Sequence, residues 1–151
     1  MIGEIRDLET AEIAIQSALT GHLVFSTIHT NNAPATLTRL MDMKVEAFLI
    51  SASVIGVVSQ RLIRIVCPHC KEPFNPPPEL VKGLGLPSIG NVFTFYWGKG
   101  CDVCKTTGYF GRTAIFELMT INDHIRELIM GKASGTAIRQ AARKNGMQTL
   151  R

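Results

Sequence analysis

Two short motifs, Cys67-Pro-His-Cys70 and Cys101-Asp-Val-Cys104, hold all four cysteines of this chain. Each C-x-x-C pair can turn two thiolates toward one point, and two pairs complete a tetrahedral four-sulfur site. Zn²⁺ fits as a closed structural ion, because no coordination position remains for water. The segment 71–100 between the pairs is rich in Pro and Gly and has little core of its own. A metal there would staple two knuckles together. Two disulfides, or thiols that are simply buried, are the alternatives, and an iron–sulfur cluster stands well behind zinc. A redox C-x-x-C enzyme fits less well, since two pairs would be redundant and neither opens a clear helix. His69 lies between two proposed ligands, but four thiolates satisfy zinc and leave it a surface or outer-shell role.

At 151 residues the chain suffices for one compact domain or two small ones. With 46% hydrophobic and 19% charged residues it is neither a disordered tail nor a coiled coil. The formal net charge of +4 arises entirely after residue 75. Four thiolates on one divalent cation would halve it. Nucleic-acid binding needs basic and aromatic residues grouped on one face. Phe93, Phe95, Tyr96 and Trp97 have only Lys99 beside them, so they read as sheet core, and nucleic acid is not an expected partner.

Met1-Ile-Gly-Glu4 lacks the basic start and apolar core of a signal peptide. The longest apolar stretch, Val45 to Val58, carries Glu46, Ser51, Ser53 and Gly56, and is too short and polar to span a bilayer. A cytosolic location is expected, where paired thiols more often bind metal than form disulfides. No G-x-x-x-x-G-K-[ST] segment occurs. Any P-loop that works with these residues must lie outside them.

Local patterning predicts an α/β order. Met1-Ile2 reads as the end of a buried strand, followed by a helix from about Glu9 to Leu19 with Ala11, Ala14, Ile15 and Ala18 on its apolar face. His22 to Ser26 reads as a second strand, its run Leu23-Val-Phe25 suited to a sheet covered on both faces. Asn32 can cap a helix reaching Asp42, with Pro34 in its first turn. A further helix is expected over 46–60, burying Phe48, Leu49, Ala52, Ile55 and Val58. Arg61–Val66, Val92–Trp97 and Arg112–Met119 read as strands. Asn122 and Ser134 are candidate caps for terminal helices at about 123–130 and 135–145, with Gly146 as the stop.

Glu4 follows the first expected strand, and His22, Ser26, Thr27 and His29 surround the second. Carboxyl ends of strands in open α/β sheets commonly bind ligands, and a carboxylate there can orient an attacking water. On residue types alone, His22 could equally satisfy a strand edge and His29 could be an exposed loop residue.

A resemblance narrows this choice. Met1-Ile-Gly-Glu-Ile-Arg-Asp7 followed by Leu-Glu-Thr-Ala-Glu12 resembles the end of the Walker B region of secretion-superfamily ATPases. Thr20-Gly-His22 and Ser26-Thr-Ile-His-Thr-Asn31 resemble that family's histidine box. Arg39-Leu40, Gln60-Arg-Leu62, both cysteine pairs, Gly108-Tyr-Phe-Gly-Arg112, Phe116-Glu-Leu118 and Gly146-Met-Gln-Thr-Leu150 continue the likeness in order. The whole chain is similar to the carboxyl-terminal part of a type II secretion or type IV pilus-assembly ATPase.

The resemblance implies a partial RecA-like nucleotide-binding domain over 1–66, a zinc-stabilised tetracysteine module over 67–119 and a helical terminal region over 120–151. It makes Glu4 the catalytic residue that activates or orients water. It makes His22 and His29 nucleotide-sensing residues near the subunit junction, and Cys67, Cys70, Cys101 and Cys104 the zinc ligands. It also implies a hexameric motor that binds ATP and Mg²⁺, with an upstream ATPase segment and an inner-membrane secretion or pilus-assembly platform as partners. Such a motor is cytoplasmic and peripheral to the inner membrane. Arg6, Arg61 and Arg64 are available for phosphate or carboxylate pairing, and none is singled out as an arginine finger. Without a phosphate cradle the fragment alone is expected to be inactive. The alternative is a zinc-organised protein-interaction domain with no catalytic activity.

Overall fold

Asp7 starts the first helix: its carboxylate accepts from the Thr10 amide at 2.8 Å and so caps α1, Leu8–Leu19. Such a cap satisfies one of the amides left without an intrahelical partner in the first turn. Asn32 does the same for α2, Ala33–Asp42, accepting from Ala35 at 3.0 Å, with Pro34 in the first turn removing one donor altogether. Asn122 and Ser134 cap α5 (Asp123–Met130) and α6 (Gly135–Lys144) through Ile125 and Ala137. All three expected caps are therefore in place. Gly146, at φ +91°, makes the left-handed turn that follows α6.

The computed structural model describes residues 1–83 and 94–150. Between α2 and α5 lie α3 (Ala47–Ser53), β1 (Gly56–Val66), β2 (Lys71–Phe74), α4 (Pro78–Gly83), β3 (Phe95–Gly98) and β4 (Tyr109–Thr120). β1 pairs with β4, and β2 pairs antiparallel with β3. Gly56 lies beside Met119 and Ile65 beside Gly111, so β1 and β4 also run in opposite directions. The chain divides into two compact units, Met1–Arg61 with Ile115–Arg151, and Leu62–Ala114. β1 and β4 each run from one unit into the other.

Three expectations need correction. No strand forms at Met1-Ile2 or at His22–Ser26. Two backbone hydrogen bonds join these parts of the chain, Ile2 N–H to Phe25 O and Ile5 N–H to Thr27 O. Leu23 and Phe25 remain 68% and 64% exposed, so the run that suits a doubly covered sheet has no such cover here. The helix expected over 46–60 stops at Ser53, and 56–60 belong to β1. The β-branched Val54, Ile55, Val57 and Val58 favour the pleated conformation, and β4 supplies the pairing that a helix would forgo. The buried face of α3 is correspondingly Ala47, Ile50 and Ser51, while Phe48, Ala52, Ile55 and Val58 are exposed and Leu49 is half-buried. Of the strand expected at Val92–Trp97, Phe95–Trp97 lie in β3, and Val92 and Phe93 lie outside the described residues.

The first unit owns the apolar core. Leu37, Ile50, Met119, Ile125, Ile129 and Ile138 are fully buried and pack with Ala11, Ile15 and Leu40. In β4 the alternation Phe116 out, Glu117 in, Leu118 out, Met119 in directs Met119 into this core. Truncating Leu37 to Ala is expected to lower the unfolding free energy by about 2–5 kcal/mol, the usual cost of an internal cavity. Chemical denaturation monitored by circular dichroism reads this, and a loss under about 1 kcal/mol would contradict the packing of α2.

Candidate functional site

Glu4 sits on the segment before Asp7, and its side chain is 22% exposed. Arg6 approaches Oε2 at 2.6 Å, and His29 Nε2 lies 2.9 Å from Oε1. Glu4 Oε1 is buried and has the His29 ring as an ion-pair contact, with no hydrogen bond to it. The hydrogen bond from Arg6, helped by the charges of Arg6 and His29 and opposed by burial, holds the Glu4 carboxyl below its ordinary range. A lowered carboxylate contributes stability above its unfolded pKa and loses it as the pH falls through the folded value.

The structure thus brings Glu4 and His29 together and places His22 elsewhere. His22 Nδ1 lies 3.2 Å from Ser17 O and 3.3 Å from the Thr20 hydroxyl, at the C-terminal end of α1. Arg61 donates to the carbonyl of Asn31 at 3.2 Å, and Arg64 lies 3.9 Å over the Tyr109 ring. Arg6, by contrast, finds a carboxylate. A cavity of about 480 Å³ opens in the same unit, lined by Ile5, Val24, Thr27, His29, Ser59 and Arg61 among others.

The second unit converges on sulfur. Antiparallel pairing sets Lys71 opposite Gly98 and Phe74 opposite Phe95. Cys70 immediately precedes β2 and Cys101 closely follows β3, so both cysteine motifs fall at the same end of the ribbon. The Sγ atoms of Cys67, Cys70, Cys101 and Cys104 all lie within 4.8 Å of one another. Cys67–Cys101 and Cys70–Cys104 are 3.9 Å apart and Cys101–Cys104 is 3.7 Å. A tetrahedral ion held at about 2.3 Å by four thiolates separates its sulfurs by about 3.8 Å. The cluster therefore fits a metal ion. All four cysteines are free, so the disulfide alternative does not hold. His69 is exposed and stands outside the cluster.

Backbone amides complete the shell. Gly100 N–H donates to Cys70 Sγ at 3.3 Å, and Cys104 Sγ receives Cys101 N–H at 3.2 Å and Gly108 N–H at 3.3 Å. Burial pushes the Cys70 thiol up to about 12 against the pull of the Gly100 amide. Burial also acts to raise Cys104, but its two amide donors and the Cys101 and Cys70 thiols outweigh it and bring it down to about 6. Gly98 and Gly108 approach so closely that a methyl group on either would overlap the main chain of the other. At Gly100, φ +97°, a Cβ would stand 2.9 Å from Thr106 O. These glycines let the two knuckles close.

Comparison with known proteins now decides the family. Residues 1–151 match the family described as type II/IV secretion system protein. The chain belongs to that secretion family. The type II/IV secretion relatives include the type IV pilus assembly ATPase PilB of Thermus thermophilus, 53% identical over 100% of this chain and 17% of the relative. The type II secretion system protein E of Pseudomonas aeruginosa is 48% identical over 97% of this chain and 29% of the relative. The chain therefore spans less than a third of the length of either. Among solved structures, the pilus retraction motor PilT with bound ADP superposes with a TM-score of 0.53 at 26% identity, covering 98% of this chain and 36% of that one. The Yersinia pseudotuberculosis ATPase DotB, at 23% identity and TM-score 0.58 over 95% of this chain and 29% of its own, shares the fold. The resemblance carried by the sequence motifs is borne out.

In this secretion-family chain, the cysteine spacing points to the four sulfurs that cluster, but not to the glycines and amides around them. The pattern Gly98-Lys-Gly100 just before Cys101, and Gly108 four residues after Cys104, was the available signal for the knuckle glycines. Gly108→Ala is expected to weaken metal binding about 10–100-fold, the usual range for a lost outer-shell partner. Chelator competition followed by elemental analysis measures this, and unchanged metal retention would contradict the glycine contact.

Proposed function

We propose that this chain is the carboxyl-terminal part of a motor ATPase that powers protein export or pilus assembly. In this proposal residues 1–66 complete a RecA-like nucleotide-binding domain, 67–119 form a zinc module and 120–151 a helical end. The observation that carries it is the buried Glu4 Oε1, an acceptor with no hydrogen-bond partner beside His29. Phosphoryl transfer to water needs in-line positioning and a group that controls the nucleophile. Glu4, held ionised by Arg6, offers a free lone pair to such a water. His29 at 2.9 Å is placed to register occupancy of that position. His22, at the end of α1, senses nucleotide from a separate position.

ATP and Mg²⁺ would be held largely by an upstream segment, since the chain carries no Walker A sequence. The motor is read as a hexamer on the cytoplasmic face of an inner-membrane platform; no helix among the described residues is long and apolar enough to cross a membrane. Zn²⁺ is the proposed ion for the four cysteines, with a structural role, because every ligand position is taken by sulfur.

In the full-length protein, Glu4→Gln is expected to lower kcat for ATP hydrolysis at least about 100-fold while KM changes little. The 151-residue chain alone should show no appreciable turnover. Wild-type turnover in the Gln variant would remove Glu4 from the mechanism, and robust hydrolysis by the short chain would overturn the division of labour. Elemental analysis of the purified chain should give about one zinc per chain, as a closed four-thiolate site requires. Negligible zinc would reject the zinc assignment.

A further inference from the structure

Glu117 is only 1% exposed, yet it carries a carboxyl group and lies in β4 among the buried residues of the first unit. Its Oε1 accepts the Ala33 amide at 2.7 Å, across 84 positions of sequence. Its Oε2 receives the Leu150 amide at a longer 3.4 Å. Ala33 is the first residue of α2, where an unpaired amide and the positive end of the helix favour a carboxylate. Asn32 takes the Ala35 amide and Pro34 has none, so Glu117 completes the satisfaction of the first turn.

The same turn ends the loop that carries His29. Thr30 and Thr36 hydroxyls meet at 2.9 Å, and Arg61 holds the Asn31 carbonyl at 3.2 Å. His29 then reaches Glu4 at 2.9 Å. The loop from 29 to 33 is therefore pinned by Glu4 at one end and by Glu117 at the other. A buried carboxylate is costly unless its lone pairs are used. Glu117 offsets that cost by taking main-chain amides, one of them directly beside the His29 loop, that an apolar side chain would leave without this acceptor.

We infer that Glu117 is a positioning residue: by anchoring the first amide of α2 it sets where His29 stands relative to Glu4. This rests on the ATPase reading for its consequence and on the hydrogen-bond geometry for its cause. The two can fail separately. Glu117 does not touch the reacting atoms in this scheme, and it acts only through the loop.

Glu117→Gln in the full-length protein keeps the side chain's size but replaces one acceptor oxygen with an NH2 group, set against a main-chain donor. The expected result is a fall in kcat of about tenfold with KM for ATP within about twofold, as for an interaction realised in the transition state. Amide exchange over residues 29–35 should quicken about tenfold, near the top of the usual range for losing one hydrogen bond. Ser134→Ala removes the cap of α6 and should leave both readouts unchanged, which separates positioning from general loss of stability. If Glu117→Gln fails to fold, Glu117→Asp withdraws the carboxylate by one methylene, and the same two readouts decide. Unchanged loop exchange, or quicker exchange with unchanged kcat, overturns the inference. If the wild-type protein hydrolyses no ATP, the ATPase reading falls instead, and the exchange measurement still decides whether Glu117 holds the loop.

Discussion

Four sulfurs meeting within 4.8 Å are the constraint on which the second unit depends. Its only buried hydrophobic residues among those described are Cys67 and Cys104. A two-stranded ribbon with four residues per strand cannot support itself in water. Aromatic side chains do not fill the gap, since Phe74, Tyr96 and Trp97 are each at least two-fifths exposed. The knuckle geometry follows from this shortage. Amides of Gly100, Cys101 and Gly108 turn toward sulfur, and left-handed turns at Lys105 and Thr106 bring the chain back to Gly108. A metal bound there would couple its binding to folding, because the same cysteines are also the core.

The first unit solves the opposite problem. Its apolar core gathers helix residues such as Leu37 around Met119 of β4. Two carboxylates illustrate the difference that partners make. Glu117 spends both oxygens on main-chain amides and becomes part of the scaffold. Glu4 spends one oxygen on Arg6 and leaves the other without a hydrogen bond. The scaffold carboxylate is almost fully buried, and the Glu4 side chain remains 22% exposed. α2 links them, since its first turn is held by Glu117 and its preceding loop delivers His29 to Glu4.

Much of this was legible in the amino-acid order. Asn32, Asn122 and Ser134 announce helix starts because their short side chains reach amides in the next turn. The cysteine spacing announces a four-sulfur cluster because two-residue gaps turn both thiols one way. The helix over 46–60 misled, since Val54–Val58 carries apolar residues compatible with either period and the deciding partner, β4, lies more than fifty positions away. Leu23-Val-Phe25 misled for a related reason: its composition suits a sheet, but no neighbouring strand pairs with it here.

The amino-acid sequence by itself determined the four-cysteine cluster, the helix caps and the family, because each is written in side chains close together in the chain or in an ordered set of motifs. Tertiary structure alone decided that His29 rather than His22 stands beside Glu4. It also turned Phe116-Glu-Leu118 from an unexplained motif into a clamp on α2. Both outcomes depend on contacts between residues dozens of positions apart, and no local period encodes which buried carboxylate an amide will find.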